Sequence, residues 1–85
     1  MTQQQKAFIL VETRVGKTRD VAKAIRGAKI PGVVVDVATV TGPYDIIVTV
    51  KQMGMGGGED LVAFLHKISG IDRTVTCVSV LGEEK

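Results

Sequence analysis

Apolar residues recur along the chain in two rhythms. Phe8-Ile9-Leu10-Val11 is an unbroken, partly branched apolar run, so Ala7 to Val15 predicts a strand buried on both faces. After Gly16 the period lengthens. Val21, Ile25 and Ala28 fall at i, i+4 and i+7 with Lys17, Arg19, Lys23 and Arg26 on the opposite side, the signature of an amphipathic helix. Pro31 should stop that helix, because it pushes Ile30 out of the helical region. Val33, Val34, Val35, Val37 and Val40 mark a second strand, and Gly42-Pro43 a tight connection to a third from Tyr44 to Lys51, paired with it as a hairpin. Gln52 to Gly58, with four glycines and two methionines, has no periodicity and predicts a flexible loop. Leu61, Leu65 and Ile68 then repeat at helical spacing, with Glu59 and Asp60 in the first turn, Lys67 in the last and Gly70 as a C-terminal cap. A last strand runs from about Arg73 to Leu81, followed by a polar tail.

The order strand, helix, strand, strand, helix, strand comprises two split βαβ units. Ile30-Pro31-Gly32-Val33 and Ile68-Ser69-Gly70-Ile71 close the two helices in similar fashion, a weak internal echo. Right-handed crossovers place both helices on one face of a four-stranded antiparallel sheet of order 4-1-3-2, a ferredoxin-like α+β sandwich. Its other face should then be wet and polar at alternate positions. Instead Phe8-Ile9-Leu10-Val11, Val33-Val34-Val35 and Ile46-Ile47-Val48 are apolar at consecutive positions, so both faces call for burial. The expected solution is a second copy packed sheet against sheet.

Composition narrows the function classes. Eighty-five residues allow one domain, with a core over about residues 6–81. At 45% hydrophobic and 24% charged, the chain is too apolar for disorder, and its apolar runs are too short for a membrane span. A domain this small gains only a few kcal/mol from its core and usually needs a disulfide, a metal or a partner subunit. Cys77 is the only cysteine and His66 the only histidine, which excludes an internal disulfide and a zinc cluster and points to a homo-oligomer. The lone thiol and the polar Thr2-Gln3-Gln4-Gln5-Lys6 start, which lacks a signal-peptide layout, suit the cytoplasm. Eleven Lys and Arg against nine Asp and Glu leave a net charge of +2, too little to argue for nucleic acid.

Most motifs dissolve on inspection. Gly16-Lys17-Thr18 ends like a phosphate-binding loop, but Val11 stands where the first glycine belongs. Gly54-Met55-Gly56-Gly57-Gly58-Glu59 presents Glu59 where the dinucleotide fingerprint needs glycine, so no cofactor is expected. His66 lies off the Leu61-Leu65-Ile68 stripe and reads as a surface or interface residue; Cys77 reads as a small core hydrophobe. Thr41-Gly42-Pro43-Tyr44-Asp45 is different. It is ordinary turn chemistry, yet it also gathers a hydroxyl, backbone amides, a phenol and a carboxylate at one end of the sheet. A free amino acid needs an acceptor for its ammonium and donors for its carboxylate, which Asp45, the loop amides and threonine hydroxyls can supply.

Ala7-Phe8-Ile9-Leu10-Val11, Ile30-Pro31-Gly32-Val33, the Thr41-Gly42-Pro43-Tyr44-Asp45 turn leading into Ile46-Ile47-Val48, and Arg73-Thr74-Val75-Thr76 together resemble the regulation-of-amino-acid-metabolism domain of Lrp/AsnC transcription regulators. The resemblance runs from about Lys6 to Leu81. It implies a βαββαβ fold, sheet-to-sheet dimers, their assembly into octameric or similar rings, and amino-acid effectors bound between dimers. Carried over by position, Gly42, Tyr44 and Asp45 line the effector pocket from the turn, and Thr74 and Thr76 from the last strand. Only Thr2 to Lys6 stand where the family's helix-turn-helix belongs, so direct DNA binding is not expected and mixed oligomers with full-length regulators are. A small dimeric enzyme with cofactor-free chemistry is the alternative, with Asp45 and His66 as its only candidate bases.

Overall fold

A computed structural model of the chain describes residues 4–30, 33–53 and 58–78. Six elements follow in the order β1 (Gln4–Thr13), α1 (Thr18–Arg26), β2 (Val33–Thr39), β3 (Ile46–Met53), α2 (Gly58–His66) and β4 (Ile71–Val78). The strands form one antiparallel sheet of order β2-β3-β1-β4, so the two strands that the pattern makes most apolar occupy the centre. This is the predicted ferredoxin-like topology.

Strand alternation sorts the side chains into two faces. Ile9 and Val11 of β1 lie beside Val48 and Ile46 of β3, and all four are buried. Val21, Ala22 and Ile25 of α1 and Leu61 and Leu65 of α2 close over them to form the core. Ala22, not Ala28, completes the apolar stripe of α1. The helix ends at Gly27, whose N–H bonds to the Lys23 carbonyl, before the chain reaches Pro31. Glycine's poor helix propensity acts sooner than the proline, which lies outside the described residues.

The opposite face carries rows read directly from the register. Ala38, Ile47, Leu10 and Val75 form one row across all four strands; Asp36, Thr49, Phe8 and Cys77 form the next. Phe8, Leu10 and Ile47 are only half-buried, and Val75 is exposed. Charges fence this apolar centre: Lys6 and Lys51 towards one end, the Glu12–Arg73 ion pair towards the other. Cys77 is exposed on this face, which corrects its reading as a core residue: β4 is an edge strand, and alternation turns position 77 away from the helices.

Element ends shift for local reasons. β1 begins at Gln4 and stops at Thr13, where a register shift against β4 breaks the ladder, so Val15 stands fully exposed in the following turn. β3 begins at Ile46, not Tyr44, and reaches Met53. Of the glycine-rich stretch predicted as a loop, 54–57 lie outside the described residues, as do 79–81 of the predicted last strand.

Gly70 joins α2 to β4 at φ +100°, and its carbonyl accepts the Arg14 N–H at 2.8 Å. A Cβ there would sit 3.1 Å from both Lys17 Cβ and Val21 Cγ2, against the first turn of α1. Gly70→Ala therefore combines backbone strain with crowding, and should cost about 1–3 kcal/mol. A urea titration read by circular dichroism checks this; an unchanged midpoint would contradict it.

Candidate functional site

Asp45 ties three strands together at one end of the sheet. Its N–H donates to the Val11 carbonyl and its carbonyl accepts the Val40 N–H, both at 2.9 Å, which closes the β2–β3 connection onto β1. One residue beyond the last β1–β3 pair, side chain replaces backbone: Asp45 Oδ2 accepts the Thr13 N–H at 2.9 Å and the Thr13 hydroxyl at 3.2 Å. The Thr13 amide, stranded by the register shift in β1, is satisfied in this way, as a nearly buried N–H must be. Thr13 Oγ1 also lies 2.7 Å from Thr18 Oγ1, so the network reaches the first residue of α1.

The rest of the turn is open. Gly42 is exposed at φ +133°, and a Cβ there would meet nothing within 4 Å, so the backbone conformation alone calls for glycine. Tyr44 is half-buried, and the Arg73 guanidinium carbon stands 5.9 Å from its ring centroid, within cation–π range. Arg73 Nε also lies 3.4 Å from Glu12 Oε1, an exposed pair worth little by itself. Together they seat the phenol against the start of β4.

Thr74 and Thr76 pair with Val11 and Ile9 and so point to the helix-covered side of the edge strand. Thr74 is half-buried and lines a cavity of about 260 Å³ with Leu65, His66, Ile68, Ile71, Asp72 and Arg73. Thr76 is exposed one rung further along and is not part of that wall. Within one chain, then, Tyr44, Asp45 and Arg73 gather at one end of the sheet, Thr74 borders them through Arg73, and Gly42 and Thr76 are exposed. His66 is exposed at the end of α2 on a cavity wall that Asp45 does not share.

Thr13, Thr18 and Arg73 were not singled out by spacing, although all three complete the site. Thr13 had a signal, being the polar branched residue that ends an apolar strand just before a glycine turn. Chemically, the side-chain hydrogen bonds of Asp45 among the described residues all fall on Oδ2, which leaves Oδ1 to accept from a cationic ligand group. Among the described residues no three His, Cys, Asp or Glu side chains assemble as metal ligands, and no helix is long and apolar enough to cross a membrane.

These features define a small ferredoxin-like α+β domain. The family model of the Lrp/AsnC ligand binding domain matches residues 6–83, and the chain belongs to that family. Among solved structures it is similar to TTHA0845 from Thermus thermophilus, with 25% identity, a TM-score of 0.72 and full coverage of both chains. It is also similar to FFRP-DM1, with 28% identity, a TM-score of 0.64, and 94% of this chain covering 100% of that one. A hypothetical protein of Pyrococcus horikoshii, PHS023, is 29% identical with a TM-score of 0.63 and 93% coverage of each chain. A search of curated proteins gave no match.

Proposed function

We propose that the protein is an oligomeric regulatory module that binds a free amino acid or similar small effector, without catalysis. The family supplies the class, a regulatory effector-binding domain. The observation that carries the finer reading is Asp45: its carboxylate is fixed through Oδ2 to Thr13 while Oδ1 remains for an ammonium. Gly42, Tyr44, Thr74 and Thr76 complete the proposed pocket, with backbone amides and hydroxyls as donors to the effector carboxylate. Two of them, Gly42 and Thr76, are exposed, which suits a pocket closed by a neighbouring subunit.

The half-buried Phe8, Leu10 and Ile47 of the open sheet face support a dimer formed sheet to sheet, and the exposed Thr41-Gly42-Pro43 turn supports further assembly into an octamer or similar ring. Such a module would act in the cytoplasm through partners, full-length Lrp/AsnC regulators among them, by sharing the sheet surface. The enzyme alternative loses ground because, among the described residues, the cavity that His66 lines does not include Asp45, its other candidate base.

The test is a thermal-shift screen of the twenty amino acids. An effector at 100 times its Kd should stabilise the protein by about 2.7 kcal/mol. A screen in which none raises the midpoint overturns effector binding by this chain.

A further inference from the structure

A second cavity, about 380 Å³, opens between α1 and the end of β2, and Thr18, Arg19, Ala22, Arg26 and Thr39 line it. We propose that this cleft binds the diphosphate group of a small phosphorylated molecule. Nothing in the amino-acid site requires it.

The lining holds two guanidiniums and two hydroxyls but no carboxylate. Arg19 and Arg26 are two helical turns apart, which puts them on one side of α1 about 10 Å from each other along the axis. Two long, exposed side chains rooted at that separation on the rim of the cleft suit a diphosphate better than a single tetrahedral anion. Guanidinium forks match phosphate oxygens in pairs, the strongest recognition available to a neutral-pH side chain. Ala22, buried beneath them, leaves the room that a longer side chain would fill.

The surroundings agree in sign. Lys23 is exposed between the two arginines, whereas Asp20, the acid of the first turn, lies about 100° round the helix from Arg19. Among the described residues the ion pairs are Arg14–Asp72 and Arg73–Glu12, so both arginines of the cleft keep their donors for a ligand. Lys17 caps α1 without a side-chain hydrogen bond, which leaves the first-turn amides beside Thr18 as further donors.

Thr18 links the cleft to the turn. Because Thr13 Oγ1 gives its proton to Asp45 at 3.2 Å, Thr18 is the donor in the 2.7 Å contact and in that arrangement offers the cleft only an acceptor. Turning both hydroxyls round makes Thr18 a donor to the anion at the expense of that longer bond, while Asp45 keeps the Thr13 amide at 2.9 Å.

Titration calorimetry with inorganic pyrophosphate, at ionic strength held constant with sodium chloride, tests the site. Saturable binding is expected, weakened about tenfold or more by Arg19→Gln and by Arg26→Gln, the loss of charge-assisted hydrogen bonds. Lys29→Gln removes an exposed cation outside the cleft and should leave binding unchanged. All three positions are exposed, and circular dichroism verifies the fold of each variant. Absence of saturable binding at millimolar pyrophosphate overturns the proposal. So does an equal loss in Lys29→Gln, which would indicate diffuse charge, or binding of a single-stranded oligonucleotide in place of pyrophosphate.

Discussion

The unaltered protein is expected to scatter light as a dimer or a larger assembly, and Leu10→Asp as single chains. Leu10 stands in the middle of the row Ala38, Ile47, Leu10, Val75, with half-buried Phe8 in the neighbouring row. In an isologous interface each substitution counts twice. Burying one leucine is worth about 1.5–3 kcal/mol, so a dimer loses about 3–6 kcal/mol, or roughly 10²–10⁴ in affinity, before the cost of desolvating two carboxylates. The fold should survive, because Leu10 lies outside the cluster that α1 and α2 cover. Lys29→Glu, on the exposed link between α1 and β2, serves as the control and should not alter the mass. An unaltered protein that is already a single chain at micromolar concentration would remove the sheet-to-sheet dimer, and with it any pocket shared between subunits.

That expectation was legible in the sequence because it depends on period alone. Consecutive apolar residues in β1 and β3 cannot all face one layer of helices, so the pattern itself exposes an unpaired apolar face. The βαββαβ order was legible for the same reason, since a change from period 2 to period 3.6 needs no tertiary information. What escaped depended on neighbours distant in the chain. Cys77 looks like a core residue by type, and only its place on an edge strand, opposite Phe8, turns it outward. Strand and helix ends escaped too: β1 stops at Thr13, where the ladder to β4 slips and Asp45, 32 residues away, accepts the amide. In the candidate site the turn was legible through its glycine, phenol and carboxylate. Its supporting groups, Thr13, Thr18 and Arg73, were not, because each acts through a partner from another element.

Asp45 is assigned two tasks, and two substitutions separate them. Asp45→Ala strips the acceptor from the amide of Thr13, a residue only 8% exposed, and leaves the Thr13 hydroxyl without its carboxylate. An unsatisfied buried donor costs about 1–3 kcal/mol and a lost bond to a charged acceptor adds to it, so a fall of about 2–4 kcal/mol in unfolding free energy is expected. Asp45→Asn keeps a carbonyl oxygen where Oδ2 stands and should cost only about 1 kcal/mol. It removes, however, the negative charge that the effector's ammonium requires. In urea denaturation Asn should therefore lie close to the unaltered protein and Ala far below it. In the amino-acid screen Asn should resemble Ala, with the stabilising shift gone from both. Should Asp45→Asn keep the full shift, the ammonium is held elsewhere and Asp45 serves only to seat the turn on β1. If Ala and Asn are equally mild in urea, the Thr13 amide has found another acceptor, and the turn does not depend on this carboxylate for its place.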